Sequence, residues 1–181
     1  VVNVIVGSSP DVGAALVDTK DVDMISFTGS STVGAKIMES GGKTMKRLLM
    51  ELGGKGALIM TEDCDVQAAV GGIASVWGFH SGQICTAPTR VICHRDIYEP
   101  TIEALKAVSE FMTVGDAREE GTLVGPVITE SHRDRVEAFI QSGIDDGAEV
   151  VVGGERPKQD GFFVAPTLLT DCTPDMHVVK E

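Results

Sequence analysis

Aromatic residues, cationic residues and paired cysteines are all scarce in this chain, and each shortage narrows the reading. One Trp, one Tyr and six Phe amount to 4% aromatics, which gives no hint of an aromatic cage. Lys and Arg number 15 against 27 Asp and Glu, a formal charge of -12. Nucleic-acid binders neutralise phosphates with clustered Lys and Arg, so this balance speaks against one, and it equally disfavours anionic membrane surfaces. The four cysteines, Cys64, Cys85, Cys93 and Cys172, form no Cys-x-x-Cys pair. Neither a zinc knuckle nor a disulfide-dense scaffold is expected, and a reducing cytoplasm is the expected location. No apolar run approaches the roughly 18 residues that span a bilayer, and there is no internal repeat.

What remains is an ordinary globular composition, 43% hydrophobic and 23% charged over 181 residues, enough for one medium domain or one small domain plus part of another. The chain opens on Val1-Val2-Asn3-Val4-Ile5-Val6 without an initiator methionine, which leaves room for a leader. That β-branched run predicts a strand buried on both faces of a parallel sheet. Val12 to Val17 reads as a short helix, Val22 to Phe27 as a strand closed by Thr28-Gly29-Ser30, and Thr32 to Glu39 as a helix. Strand, small-residue loop and helix, repeated, are the rhythm of an α/β parallel sheet.

Leu48 to Leu52 and Ala57 to Met60 read as strands around Gly53-Gly54. A helix capped by Asp63 or Asp65 follows, its apolar stripe Val66, Ala69, Val70, Ile73, Ala74 and Trp77 spaced by threes and fours. Gly78 to Pro88 is a loop of small and polar residues; then come a strand at Thr89 to His94 and a helix at Ile97 to Met112. Val114 to Pro126 is a long connection, followed by a helix from about Glu130 to Ile144 and strands at Ala148 to Val152 and Phe162 to Thr167.

Two residues stand out chemically. Cys85, in Ser81-Gly82-Gln83-Ile84-Cys85-Thr86-Ala87, is accessible enough to act as a nucleophile, although a lone cysteine is more often a small buried hydrophobe. Glu51, between Met50 and Leu52, would bear a desolvation penalty in an apolar strand, and burial would raise its pKa toward that of a general base. A salt bridge to Lys55 or Arg47 is the competing explanation.

Met50-Glu51-Leu52-Gly53-Gly54-Lys55 resembles the Glu-Leu-Gly-Gly-Lys signature of the aldehyde dehydrogenase superfamily, and Gly82-Gln83-Ile84-Cys85 resembles its Gly-Gln-x-Cys signature. Glu51 and Cys85 lie 34 positions apart, as in that family. Phe27-Thr28-Gly29-Ser30 with Gly34 is similar to the turn of its coenzyme domain, and Val2-Asn3-Val4 before Gly7 to the strand and loop preceding it. Val114-Gly115-Asp116, Gly125-Pro126, Gly147-Ala148, Gly153-Gly154 and Pro166-Thr167 continue the family order. Two positions depart from it: His80-Ser81 replaces the usual Asn two residues before Gly82, and Gly56 stands where many members have a small residue followed by Pro.

The resemblance implies an α/β, aldehyde dehydrogenase-like fold with a parallel-rich sheet flanked by helices. Residues 1–52 would be the end of a Rossmann-like coenzyme domain and residues 53–181 most of the catalytic domain, each truncated relative to the family. It implies NAD(P)-dependent oxidation of an aldehyde to a carboxylic acid, Cys85 forming a thiohemiacetal and then a thioester that a Glu51-activated water hydrolyses. The Cys85 N–H would be one oxyanion donor. For NAD or NADP, Gly29 and Ser30 would approach the pyrophosphate, Leu52 and Gly53 the nicotinamide, and Gly7 the adenine side. Arg90 would order the Cys85 loop. No metal site is implied, and His94, His132 and His177 read as surface or packing residues. A dimer or tetramer is the implied assembly. The competing functions are a coenzyme A-acylating aldehyde dehydrogenase, which the presence of Glu51 disfavours, and a non-catalytic interaction module; family contacts upstream of Val1 and beyond Glu181 would be missing, so poor turnover by this chain alone is expected.

Overall fold

Helix starts in this protein carry their own signals, and these place the elements. Asp65 accepts a hydrogen bond from the Ala68 N–H at 3.1 Å, Thr129 from His132 at 3.1 Å, and Ser30 from Val33 at 3.3 Å. Each side-chain oxygen satisfies an N–H that the first helical turn leaves without a backbone partner. The structure, a computed structural model, describes residues 1–181, and the chain divides into two units, Val1–Gly53 and Gly54–Glu181.

The first unit holds helix α1 (Asp11–Asp18), strand β1 (Met24–Gly29), helix α2 (Ser31–Gly42) and strand β2 (Arg47–Leu52). β1 and β2 pair in parallel, with Phe27 opposite Met50, Thr28 opposite Glu51 and Gly29 opposite Leu52. Helix α2 is the crossover between them. Its Gly34 is buried because a Cβ there would lie 2.7 Å from a Leu52 methyl, so the glycine lets the helix close on the strand. Lys46 donates to the carbonyls of Thr19, at 2.5 Å, and Val22, at 2.8 Å, tying the approach to β2 to the segment before β1.

The opening Val run departs from expectation: residues 1–7 form no strand, and Val1, Val2, Val4, Ile5 and Val6 are all exposed. β-branched residues favour extended backbone, but a strand also needs a neighbour to bond, and none pairs with this segment in its unit. β1 itself begins at Met24, two residues later than the apolar run suggests.

The second unit holds strand β3 (Ala57–Met60), helix α3 (Val66–Trp77), strand β4 (Arg90–Cys93), helices α4 (Tyr98–Ser109) and α5 (Glu130–Asp145), strands β5 (Glu149–Val152) and β6 (Leu168–Thr170), and the short α6 (His177–Lys180). β3 and β4 pair in parallel, Ala57 with Arg90 through Met60 with Cys93, and α3 supplies the crossover. Its stripe does face inward: Val70 is 1% exposed and packs with Ile73 and with Leu105 of α4, while Leu58, Val66, Trp77 and Val91 surround them. β5 and β6 pair antiparallel, Glu149 opposite Thr170 and Val150 opposite Leu169. The architecture is therefore α/β with two parallel pairs and one antiparallel pair.

The expected strand at Phe162 to Thr167 is displaced to Leu168–Thr170. Pro166 lacks the N–H a ladder needs, and Gly153, at φ 70°, passes so close that a Cβ would stand 2.2 Å from the Pro166 carbonyl. Phe163 is nonetheless buried. The loop after β5 is fastened to α5 by Arg156, which bonds Glu137 and, at 3.1 Å, Asp134, beside the buried Arg133. No helix is long and apolar enough to cross a membrane.

Candidate active site

In the first unit, the C-terminal ends of the parallel strands converge with the N-terminus of α2. Register pairing puts Gly29 beside Leu52 and Thr28 beside Glu51, and Ser30 caps the helix. The N–H groups of Ser31 and Thr32 have no acceptor within the chain. They add to the positive end of a twelve-residue helix, an arrangement that suits an anion. Gly29 has a further reason to be glycine: a Cβ there would stand 2.5 Å from the Phe27 ring. Gly7 lies in the exposed opening segment, and a Cβ on it would meet a Val12 methyl at 2.8 Å.

Glu51 corrects an expectation, because it is exposed within β2 rather than buried. Side chains alternate along the strand, so Arg47, Leu49 and Glu51 share the open face while Leu48, Met50 and Leu52 are turned inward. The desolvation argument therefore does not apply to it. Nor does the competing salt bridge to Arg47 form. Leu52 is half-buried and Gly53, the last residue of the unit, is exposed.

In the second unit, Cys85 is exposed in the loop between α3 and β4. The Ala87 N–H donates to the Ile84 carbonyl at 3.0 Å, which makes Ile84-Cys85-Thr86-Ala87 a hydrogen-bonded turn with Cys85 and Thr86 at its two central positions. The N–H groups of Cys85 and Thr86 bond no acceptor in the chain. A thiol and its own free N–H thus share one turn, the combination needed to add to a carbonyl and to hold the oxygen as it becomes negative.

Around that turn the backbone is crowded. A Cβ on Gly56 would lie 2.4 Å from the Ala87 carbonyl oxygen, so Gly56 lets the loop descend onto β3. The Arg90 N–H bonds the Gly56 carbonyl at 3.2 Å, and the Arg90 guanidinium bonds the Lys55 carbonyl at 2.5 Å while its buried Nε has no partner. Burial, then the neighbouring Arg90 charge, lower the Lys55 ammonium pKa from its ordinary value against an opposing pull from Glu181. Arg90 therefore ties the start of β4 to the segment before β3, and its bonds go to Lys55 and Gly56 rather than to the Cys85 loop. Sequence reading missed the clamp at the other end: the Ser81 hydroxyl donates to the Gly125 carbonyl at 2.8 Å. Positive φ angles at His80, Ser81 and Gly82, of 48°, 56° and 73°, were not visible from composition either.

Cys172 is exposed like Cys85, whereas Cys64 and Cys93 are half-buried. Burial raises the pKa of Cys93 on β4, and partial burial with the neighbouring Asp171 charge raises that of Cys172. Cys64 is half-buried in the turn before α3. His94 is exposed, His132 half-buried, and His177 stacks on Phe139 with ring centres 4.9 Å apart.

The family model described as "Aldehyde dehydrogenase family" matches residues 1–181. The chain belongs to the aldehyde dehydrogenase family. It is 36% identical over 185 residues to betaine aldehyde dehydrogenase of Bacillus subtilis, covering all of this chain and 38% of that protein. It is 40% identical over 170 residues to phenylacetaldehyde dehydrogenase of Pseudomonas fluorescens, covering 93% of this chain and 34% of that one. Among solved structures, succinate-semialdehyde dehydrogenase from Burkholderia pseudomallei superposes with a TM-score of 0.93 at 34% identity, over 98% of this chain and 37% of that one. Aldehyde dehydrogenase C of Pseudomonas syringae, solved with NAD+ and octanal, gives 0.90 at 35% identity, over 97% and 37%. The chain spans a little over a third of the length of the curated relatives it matches.

Proposed function

We infer that the chain serves the oxidation of an aldehyde to a carboxylic acid, with Cys85 as nucleophile, Glu51 as base and NAD or NADP as coenzyme. One observation carries the reading: in a chain of this family, the signature cysteine stands exposed in a hydrogen-bonded turn with its own N–H free. The Cys85 sulfur adds to the aldehyde carbon; a C–S bond forms, the carbonyl π pair moves to oxygen, and the Cys85 N–H donates to that oxygen. NAD(P)+, when bound, supplies the acceptor for the hydride that leaves this carbon. Glu51 then takes a proton from the water that attacks the resulting thioester; the C–S bond breaks, the thiolate is regenerated and a carboxylate departs.

Residues 1–52 act in this reading as the end of the coenzyme-binding domain and residues 53–181 as catalytic domain. The free N–H groups at the start of α2, with Gly29 and Ser30, fit a pyrophosphate; Leu52 and Gly53 would take the nicotinamide, and Gly7 the adenine side. The presence of Glu51 favours water over coenzyme A as the acyl acceptor. The substrate is a small-molecule aldehyde, and the assembly a dimer or tetramer in the cytoplasm.

NADH formation from a generic aldehyde by a full-length protein carrying this chain tests this. Cys85→Ser abolishes it. Glu51→Gln retains one stoichiometric burst while steady turnover falls by at least about a hundredfold, the usual scale of a general base. Wild-type rates in Cys85→Ser would overturn the nucleophile, and a lost burst in Glu51→Gln would move Glu51 to an earlier step. Faster turnover on adding coenzyme A would favour the acylating alternative.

A further inference from the structure

The geometry points to Ser81 as a positioning residue for carbonyl chemistry at Cys85, acting through its hydrogen bond to the Gly125 carbonyl; the inference rests on Cys85 being the nucleophile. His80 and Ser81 hold φ of 48° and 56°, a left-handed conformation that is strained for a non-glycine residue, and Gly82 continues the turn at 73° without strain. Two strained residues in a row persist only where surrounding contacts hold them. The one side-chain bond from this turn to a distant segment is the Ser81 hydroxyl to Gly125, 2.8 Å long and spanning 44 residues of sequence.

From that anchor to Cys85 the chain has little freedom. The His80 carbonyl accepts both the Gln83 N–H, at 3.2 Å, and the Gln83 side-chain amide, at 2.9 Å. The Ile84 N–H bonds the Gly82 carbonyl at 3.0 Å, and Ala87 closes the turn on Ile84. Every link is local, so the orientation of the Cys85 N–H follows that of Ser81 and Gly82. Downstream the loop is seated on Gly56; upstream, Ser81 is its seat. Releasing the hydroxyl frees the left-handed turn to relax and swings the N–H away from the oxygen it must meet, while the thiol stays in an exposed loop.

That separation dictates the experiment. Acyl transfer from p-nitrophenyl acetate needs the N–H: the Cys85 sulfur bonds to the ester carbonyl carbon, the bond from that carbon to the aryloxy oxygen breaks, and its electron pair leaves on p-nitrophenolate. Alkylation by iodoacetamide is a displacement at an sp³ carbon that develops no oxyanion, so it reports only thiol access. Both are measured on the full chain, with the modified residue mapped by mass spectrometry. Losing one oxyanion donor costs roughly a hundredfold to a thousandfold, and a donor displaced rather than deleted costs about tenfold. Ser81→Ala and Ser81→Gly are expected to slow acylation of Cys85 about tenfold and alkylation less than about twofold. Ser81→Gly also relieves the backbone strain, so it stays folded where the alanine variant fails. Ser81→Asn, which tolerates positive φ and carries an amide donor for Gly125, restores acylation to within about threefold. Unchanged acylation in Ser81→Gly, or equal losses of acylation and alkylation without rescue by Asn, would overturn the inference and leave Cys85 as nucleophile. Acylation of another thiol in the wild type would overturn both.

Discussion

The two units carry their candidate residues in contrasting ways. In Val1–Gly53 the only buried residues are Gly34, Ile37 and Gly41, all on α2, and α1 buries nothing. In Gly54–Glu181 an apolar cluster of Val70, Ile73 and Leu105 lies beneath the elements that flank the Cys85 loop. The first unit therefore offers backbone ends with little core behind them, and the second offers a side chain on a loop clamped over a core. A sparsely buried strand-and-helix platform in one unit and a clamped cysteine loop over a core in the other is the contrast to break or sharpen.

The largest effect should come from the second core. Leu105, 2% exposed, contacts α3, and Leu105→Ala should cost about 2–5 kcal/mol in urea unfolding. Leu16 of α1 is 46% exposed, and Leu16→Ala should stay within about 0.5 kcal/mol. Equal costs would erase the contrast. Two glycines sharpen it further. A Cβ on Gly56 meets a backbone carbonyl at 2.4 Å that cannot yield, whereas one on Gly34 meets the flexible end of Leu52 at 2.7 Å. Gly56→Ala should therefore lose about 1–3 kcal/mol and Gly34→Ala less than that, both read by thermal denaturation. Ser30→Ala, which removes the cap of α2, should cost about 1 kcal/mol and loosen the anion-binding end, visible as faster amide exchange in the first turn of α2.

The smallest effect is electrostatic. The Arg118 side chain, and then its backbone N–H, hold the Asp116 carboxyl down to about 2 from an ordinary 3.8. A depressed carboxylate contributes stability that is present above 3.8 and lost as pH falls toward 2, so the turn at Asp116 in the connection carrying Gly125 should loosen only in that window. Arg118→Gln should return the Asp116 titration, followed by carboxyl NMR, toward its ordinary range; an unmoved titration would remove Arg118 as the cause.

How much of this was legible beforehand follows from which forces are local. The stripe on α3 and its Asp65 cap are encoded within a few residues, and both appear where periodicity puts them. Strands depend on partners that periodicity does not reveal. The Val1–Val6 run has strand propensity and no neighbour to bond, and Phe162–Thr167 is interrupted by Pro166, so pairing starts only at Leu168. Glu51 was misjudged as buried because its flanking residues are apolar, although the two-residue period turns Met50 and Leu52 away from it. The signature motifs named Cys85 correctly as a loop residue, but its turn, its free N–H and the Ser81 clamp are long-range or conformational facts that no spacing carries.

Competitive alkylation tests the central claim, that Cys85 is the thiol this fold presents for reaction. With limiting iodoacetamide at neutral pH and mass mapping of all four cysteines, Cys85 should be modified first, since Cys64 and Cys93 are half-buried and, in the exposed Cys172, partial burial and the adjacent Asp171 charge raise the thiol pKa. Faster modification of Cys64, Cys93 or Cys172 in the folded protein would contradict the account.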